Sequence, residues 1–237
     1  MSKFKLAPNS SAADTFRAAV FIILSGGFQD AYTFMSRGGV FANAQTGNIV
    51  LMSASLFRGE WLTALKYVVP LAAFSLGILA AEGIHHSCNK SEKIHWRQII
   101  LIAEVVLLFG VGFIPSSAAS AANALVSFVC ALQVQSFHKI KGHIYASTMC
   151  IGNLRSGAES LFEFFRSHNK EALKKALTYF EVILIFAIGA GTGAYVSSVL
   201  GNRAIWVCCV LLFIGCLIMF IGGKDSKKPK DNKKPSA

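Results

Sequence analysis

Six apolar segments, each close to the length that crosses a lipid bilayer, limit what this chain can fold into. Crossing the roughly 30 Å hydrocarbon core takes about 20 helical residues. The chain is 54% apolar and only 15% charged, which is unlike the composition of a soluble domain. Backbone polar groups in lipid must be bonded within the segment, so these segments are predicted to be helices. The predicted spans are 16–36, 65–86, 98–115, 117–137, 176–200 and 203–222.

Two of these spans contain polar side chains at depth. The first contains Gln29 and Asp30, and the fourth ends in Gln133 and Gln135. Polar atoms inside a membrane need partners within the protein. Both spans are therefore predicted to face the interior of an all-α transmembrane bundle.

The distribution of basic residues predicts the orientation. With six spans and a cytoplasmic N-terminus, 19 of the 23 Lys and Arg residues lie on the cytoplasmic side, as the positive-inside rule expects. The polar lead 1–15 and the basic tail 223–237, which is expected to be disordered, are then both cytoplasmic. The net charge of +11 follows from this topology and does not indicate nucleic-acid binding.

The chain repeats a series of short motifs in the same order. The two Gly-Asn pairs, at Gly47-Asn48 and Gly152-Asn153, lie 105 residues apart. Residues 27–31 match 131–135, Phe74 with Gly77 and Ala81 match Phe186 with Gly189 and Gly193, and 106–109 match 210–213. The predicted repeats are 16–115 and 116–222. Three spans in each repeat would turn the second upside down, as in many secondary transporters.

The Gly-Asn segments, 40–57 and 144–162, are apolar but interrupted by polar residues. They are either re-entrant pieces packed against a six-span bundle or two further spans. Eight spans would export the basic loop around 90–97 and place Arg155 in mid-membrane, against the charge rule. We therefore predict a 3+3 inverted repeat with two broken segments, and keep eight spans as the alternative.

Small residues recur at intervals of four in two of the clean spans. Such a pattern lets helix backbones approach closely in lipid. The pattern predicts that span 65–86 crosses span 176–200 near the pseudo-twofold axis, or alternatively that it mediates a homodimer. The residues concerned are Ala73, Gly77, Ala81, Gly189 and Gly193.

The motif Gly-Phe-Gln-Asp-Ala, followed after 13 residues by Gln-Thr-Gly-Asn, occupies residues 27–48. On this motif and on the second Gly-Asn pair, the chain resembles the YoaK-like family of bacterial membrane proteins over roughly residues 15–222. The resemblance implies a multispanning plasma-membrane protein of a family without an assigned activity. The second half departs from the expected Gly-Leu-Gln-Asn-Ala, since Val134 and Gln135 follow Gln133 and Ile151 replaces the Thr.

Polar residues near the expected repeat interface are the candidate site. Asp30 and Glu104 are candidate proton or cation sites, because an ionisable group within a span is paired, protonated or hydrated. A helix that begins at either Gly-Asn pair would direct unpaired N–H groups at an anion or a polar amide. The purely structural alternatives for these residues are helix capping and hydrogen bonding between helices. The candidate substrate-binding residues are Gln29, Asp30, Thr46, Gly47, Asn48, Gln133, Gln135, Gly152 and Asn153.

No enzyme motif, metal-spaced cluster or phosphate loop occurs in the sequence, and no cofactor is expected. The six cysteines are expected to be small buried side chains. The leading hypothesis is a small-solute transporter or permease. The alternatives are a membrane scaffold or regulator without transport, and an intramembrane enzyme. They differ in whether the two Gly-Asn breaks meet at a common site.

Overall fold

The computed structural model describes residues 12–88, 96–137, 139–140, 143–144 and 150–225. The predictions for most of the N-terminal lead and for the tail beyond residue 225 lie outside these residues. The described chain forms eight α-helices: α1 Ala12–Ser36, α2 Gln45–Phe57, α3 Trp61–Cys88, α4 Trp96–Val111, α5 Ala119–Ser136, α6 Cys150–Ser167, α7 Lys170–Leu200 and α8 Trp206–Asp225.

Short elements connect some of the helices. Ser116–Ala118 and Gly201–Ile205 are 3-10 helices that lead into α5 and α8. Lys139–Ile140 pairs antiparallel with His143–Ile144 between α5 and α6. Apart from this small pairing, the prediction of an all-α chain is confirmed.

Four stretches are long and apolar enough to cross a membrane: Phe16–Ser36, Trp61–Ser87, Ser116–Ser136 and Lys170–Met219. The last stretch contains α7 and α8 together. Helix α4, with 16 residues, is shorter than the usual crossing length. The count of six spans therefore stays a prediction.

Four helices, α1, α8, α4 and α5, form the centre of the bundle, each packed against the next. α7 packs on the outside of α1 and α3 on the outside of α5, while α6 covers α7 and α2 covers α3. These pairings come in matching sets. Exchanging α1 with α5, α2 with α6, α3 with α7 and α4 with α8 leaves the set of packed pairs unchanged.

The bundle has two ends that contacts define. At the first, the "Arg37 end", Arg37, the first residue after α1, contacts the end of α4 and the start of α5. At the second, the "Arg97 end", Arg97 at the start of α4 donates to the carbonyl of Ser136 at the end of α5. Helices α1, α4 and α7 therefore run toward the Arg37 end, and α3, α5 and α8 run away from it.

Glycines allow the closest helix crossings. A methyl group on Gly189 of α7 would overlap the backbone of Leu24 in α1, and one on Gly77 of α3 would overlap the backbone of Phe128 in α5. Gly193 lies in the same way against Phe28 of α1. The predicted crossing of α3 with α7 is therefore wrong. The small residues instead bring α7 onto α1 and α3 onto α5.

The two alanines of the predicted packing pattern also lie on α3. Ala81 is fully buried in a cluster with Leu132 of α5, one turn beyond the Gly77 contact. Ala73 is only half-buried. The close contact on α3 is thus concentrated toward the Arg97 end.

Helices α2 and α6 expose large apolar side chains and bury small or polar ones. Asn48 and Ser55 are buried in α2, while Val50 is 61% exposed. In α6, Asn153, Gly157 and Ser160 are buried, while Ile151, Leu154, Phe162 and Phe165 are exposed. Such a pattern is typical of helices that face lipid, where the apolar side chains lie outward.

Candidate functional site

A cluster of polar side chains lies where α1 and α5 approach each other in the middle of the bundle. The Gln29 amide donates to Ser25 Oγ at 2.9 Å and contacts Gln133 Oε1 at 3.4 Å. Cys130 Sγ donates to Gln29 Oε1 at 3.2 Å, and Gln133 Nε2 donates to the Ile22 carbonyl at 2.6 Å. We call Ser25, Gln29, Cys130 and Gln133 the central cluster; all four are fully buried.

Asp30 follows the central cluster on α1 and is bound to the start of α2. Its Oδ1 accepts a hydrogen bond from the backbone N–H of Asn43 at 2.7 Å, and the backbone amides of Ala42 and Ala44 lie near the same carboxylate. A helix N-terminus favours negative charge. The anion that the sequence predicted at this helix start is therefore supplied by the chain itself.

The position of Asp30 also fixes how far the chain turns back after α1. Asp30 precedes the last residue of α1, Ser36, by six positions, or roughly 9 Å along the helix. The loop 37–44 therefore returns into the bundle before α2 begins. Helix α2 starts at Gln45, three residues earlier than the start predicted at Asn48.

Asn48 holds this returning loop together. Its Oδ1 accepts from the backbone N–H of Phe41 at 3.0 Å, and its Nδ2 donates to the Phe41 carbonyl at 2.7 Å and to Gln45 Oε1 at 2.9 Å. Phe41 in turn stacks on Phe34 of α1. Asn48 thus takes part in the site by shaping the loop that presents its N–H groups to Asp30.

The start of α6, at Cys150, lies close enough to Asp30 for the two side chains to interact electrostatically. Asn153, one turn further, is 2% exposed. Among the helix pairs of the described structure, α2 and α6 form no extensive contact; the described interactions relate them only through Asp30, which bonds the residue Asn43 before α2 and interacts with Cys150 at the start of α6.

Glu104 of α4 is the second carboxyl group inside the bundle. It is fully buried, and neither of its oxygens has a hydrogen-bond partner in the described structure. The Cys130 thiol of the central cluster interacts electrostatically with both Asp30 and Glu104. Cys130 therefore lies near both carboxyl groups.

Sequence reasoning missed Arg37, which counted only as an external basic residue. Its guanidinium is fully buried and donates to the carbonyls of Val111, Ile114 and Pro115 and to the Tyr32 hydroxyl. A cation at the carbonyl end of a helix is favourable. A basic residue directly after a polar-ended span was the available signal, but its target lies 74 residues further along the chain.

Several predicted site residues lie away from the central cluster. Gln135 donates to Glu82 of α3 near the Arg97 end. Thr46 and Gly152 are exposed, and Gly47 lies under the ring of Phe41. The predictions that Gln135, Thr46 and Gly152 converge with Gln29 are therefore wrong, because each side of a helix faces a different environment.

The candidate site is composed of amide, hydroxyl, thiol and carboxyl groups. No group of three or more metal-ligating side chains occurs among residues 12–88, 96–137 and 150–225 that are described. The amides of the central cluster can donate to and accept from a neutral polar group, and the two carboxyl groups can exchange protons. A cavity of about 220 Å³ lies elsewhere, between α6 and α7, beside Glu159, Glu163 and Lys175.

Helices long enough to cross a bilayer, lipid-facing apolar surfaces and a buried polar centre define a polytopic α-helical membrane protein. Residues 18–218 match the family described as "Protein of unknown function (DUF1275)". The chain belongs to this family. It is 25% identical over 204 residues to the UPF0700 transmembrane protein YoaK of Bacillus subtilis (strain 168), with 81% of this chain and 88% of that protein covered.

No solved structure matches the chain. The resemblance to the YoaK-like family that the Gly-Phe-Gln-Asp-Ala motif predicted is confirmed. The match places the chain in a membrane and supplies no substrate.

Proposed function

We propose that this chain is a permease for a small polar solute, built as an inverted pair of three-span halves in the bacterial plasma membrane. The observation that supports the proposal best is the contact between Gln29 and Gln133 beside Asp30. Matching residues of two halves meet there, next to the first residues of both broken segments. Transporters with inverted repeats bind their solutes at such an interface.

The packing of the glycines supports the inverted repeat. Leu24 and Phe128 lie 104 positions apart in the chain, as do Gln29 and Gln133. Gly189 of α7 packs against Leu24, and Gly77 of α3 packs in the same way against Phe128. On the opposite face, Cys209 Sγ lies 3.6 Å from the carbonyl of Val105, again 104 positions away. Contacts between equivalent positions are expected on a pseudo-twofold axis.

The broken segments support a re-entrant structure. α2 and α6 begin near Asp30, and short turns at 58–60 and 168–169 connect them to α3 and α7. Each segment therefore returns to the same end of the bundle from which it entered the interior. Backbone outside a regular helix is tolerated at membrane depth where it lines a site, and loop 37–44 is of this kind.

In the described structure the central cluster is closed, because Gln29 and Gln133 are fully buried. A permease must open it alternately to the two sides. The buried and mutually bonded amides also support the alternative, a scaffold in which they only join helices. An intramembrane enzyme would require one substrate to contact both Asp30 and Glu104.

Transport is tested with the purified chain in proteoliposomes. Release of a panel of radiolabelled solutes (glycerol, urea, glutamine and methylammonium) is compared for the wild type, Asp30→Asn and Glu159→Gln. Asn can still accept the hydrogen bond from Asn43, so Asp30→Asn is expected to fold and to lose flux. Glu159 is exposed on α6, and its variant should retain flux. Flux that is unchanged in Asp30→Asn would contradict the permease.

A further inference from the structure

Glu104 has an environment that no other carboxyl group among the described residues shares. Its side chain is fully buried and both oxygens lack hydrogen-bond partners. The ion pairs formed by the described residues lie on the exposed surfaces of α6 and α7. No described basic side chain neutralises Glu104.

Titratable groups near Glu104 on the helices packed against α4 include two thiols. Cys130 of α5 and Cys216 of α8 both interact with Glu104 electrostatically. On α1, Asp30 reaches the same Cys130 but is itself bonded to the Asn43 amide. On α3, which touches α4 only slightly, Glu82 accepts from Gln135.

The remaining surroundings are apolar. Leu101, Leu108 and Leu212 are fully buried in the core cluster that α4 and α8 share. Hard cations such as Ca²⁺ and Mg²⁺ take six or more oxygen ligands, and thiols and aliphatic side chains supply none. An ionised carboxylate without partners at this depth is costly.

We propose that Glu104 is a buried proton-binding site, and that the proton is therefore the coupling ion of the permease. The claim that the proton is the coupling ion rests on the proposed function; the claim that Glu104 binds a proton does not. A bound proton removes the charge of the carboxyl group without requiring further ligands. Equilibration of Glu104 with one side of the membrane at a time would then link proton movement to opening of the bundle.

Cys130 provides the route by which Glu104 can affect the solute site. Its thiol interacts with Glu104 and donates to Gln29 Oε1 at 3.2 Å. Charging Glu104 would therefore change the electrostatic environment of the amide that contacts Gln133. Among the described contacts, no other side chain links Glu104 to Gln29.

The proton site is tested by labelling with dicyclohexylcarbodiimide. This reagent reacts with a protonated carboxyl group to form an O-acylisourea, which rearranges to a stable N-acylurea. The full chain in proteoliposomes is treated from acidic to alkaline pH, and modified residues are mapped by mass spectrometry. We expect labelling at Glu104 that is lost as the pH rises and that sodium or potassium chloride does not prevent. The exposed Glu159 should react only with a water-soluble carbodiimide and an added amine.

Absence of labelling at Glu104 across the whole pH range would overturn the proposal. Protection by sodium or potassium at constant pH would also overturn it, because a metal cation would then occupy the site. The wild-type protein suffices for both results, so poor folding of Glu104→Gln does not affect them.

A second measurement addresses coupling. A pH-sensitive dye inside the proteoliposomes should report solute-driven proton movement in the wild type and in Glu159→Gln, and its loss in Glu104→Gln. Labelling of Glu104 without any solute flux would reject the permease and leave the proton site intact. Solute flux without labelling would reject the proton site alone.

Discussion

The side-chain amides of Gln29 and Gln133 meet at 3.4 Å although 104 residues separate them in the chain. Gln133 Nε2 is directed at the Ile22 carbonyl, and Gln29 Nε2 also bonds Ser25. The contact adds to two other hydrogen bonds that join α1 to α5, from Cys130 to Gln29 and from Gln133 to the Ile22 carbonyl. Everything proposed for solute binding depends on this junction.

A double-mutant cycle measures the energy of this contact. Gln29→Leu and Gln133→Leu should each lower thermal stability in detergent, and their effects should be coupled by about 0.6 kcal/mol, the usual size for polar pairs between membrane helices. Gln135→Leu is the control on α5, since Gln135 faces Glu82. Strictly additive losses for Gln29 and Gln133 would show that the two amides do not interact.

Asn48 should be required for the returning loop. Asn48→Ala removes partners from both the N–H and the carbonyl of Phe41, and leaving such groups unsatisfied costs about 1–3 kcal/mol. Thr46→Ala, on an exposed position of the same helix, should stay within about 0.5 kcal/mol of the wild type. Thermal unfolding in detergent compares the two. Equal stability of both variants would mean that loop 37–44 is not fixed by Asn48.

The crossing of α7 with α1 makes opposite predictions for two nearby glycines. Gly189→Ala should destabilise the protein by about 1–3 kcal/mol, because the added methyl overlaps the Leu24 backbone. Gly191→Ala points into open space and should be neutral or gain up to about 1 kcal/mol from helix propensity. Unfolding followed by circular dichroism distinguishes them, and a tolerated Gly189→Ala would place α7 elsewhere.

Arg37 should act through its planar guanidinium as well as its charge. Arg37→Lys keeps the charge but cannot reproduce the hydrogen bonds to Val111, Ile114 and Tyr32, each worth about 1.5–3 kcal/mol for a charged donor. We expect a loss of at least about 1.5 kcal/mol in stability. The exposed Arg58→Lys is the matched control and should change little. If Arg37→Lys is equally neutral, Arg37 does not fasten α1 to α4.

The sequence was sufficient to predict where the helices lie along the chain, but not which helices pack against each other. Apolar length predicted helix positions such as 65–86, which lies within Trp61–Cys88, because the requirement for internal backbone bonding is local. The glycine pattern correctly marked close approaches at Gly77 and Gly189. It could not identify the partner helix, since a smooth face accepts any backbone of suitable shape.

For the candidate site, too, the sequence predicted some features and not others. Gln29 and Gln133, which the sequence predicted to converge, contact each other because both lie on buried faces of their helices. Gln135 lies two positions further, which on a helix turns it by about 200° toward α3. The binding of Asp30 to the start of α2 and of Arg37 to the end of α4 depends on how the loops return, and no local pattern encodes that.

The central claim, that the central cluster opens to water, is tested most directly at Cys130. Right-side-out and inside-out vesicles are treated with a charged, membrane-impermeant methanethiosulfonate, and modified cysteines are mapped by mass spectrometry. Cys209 is the control, because it is buried between α8 and α4 and contacts the Val105 carbonyl, away from the central cluster. A permease predicts modification of Cys130 from both sides and none of Cys209. If Cys130 is protected from both sides, the cluster stays closed and the chain is a scaffold.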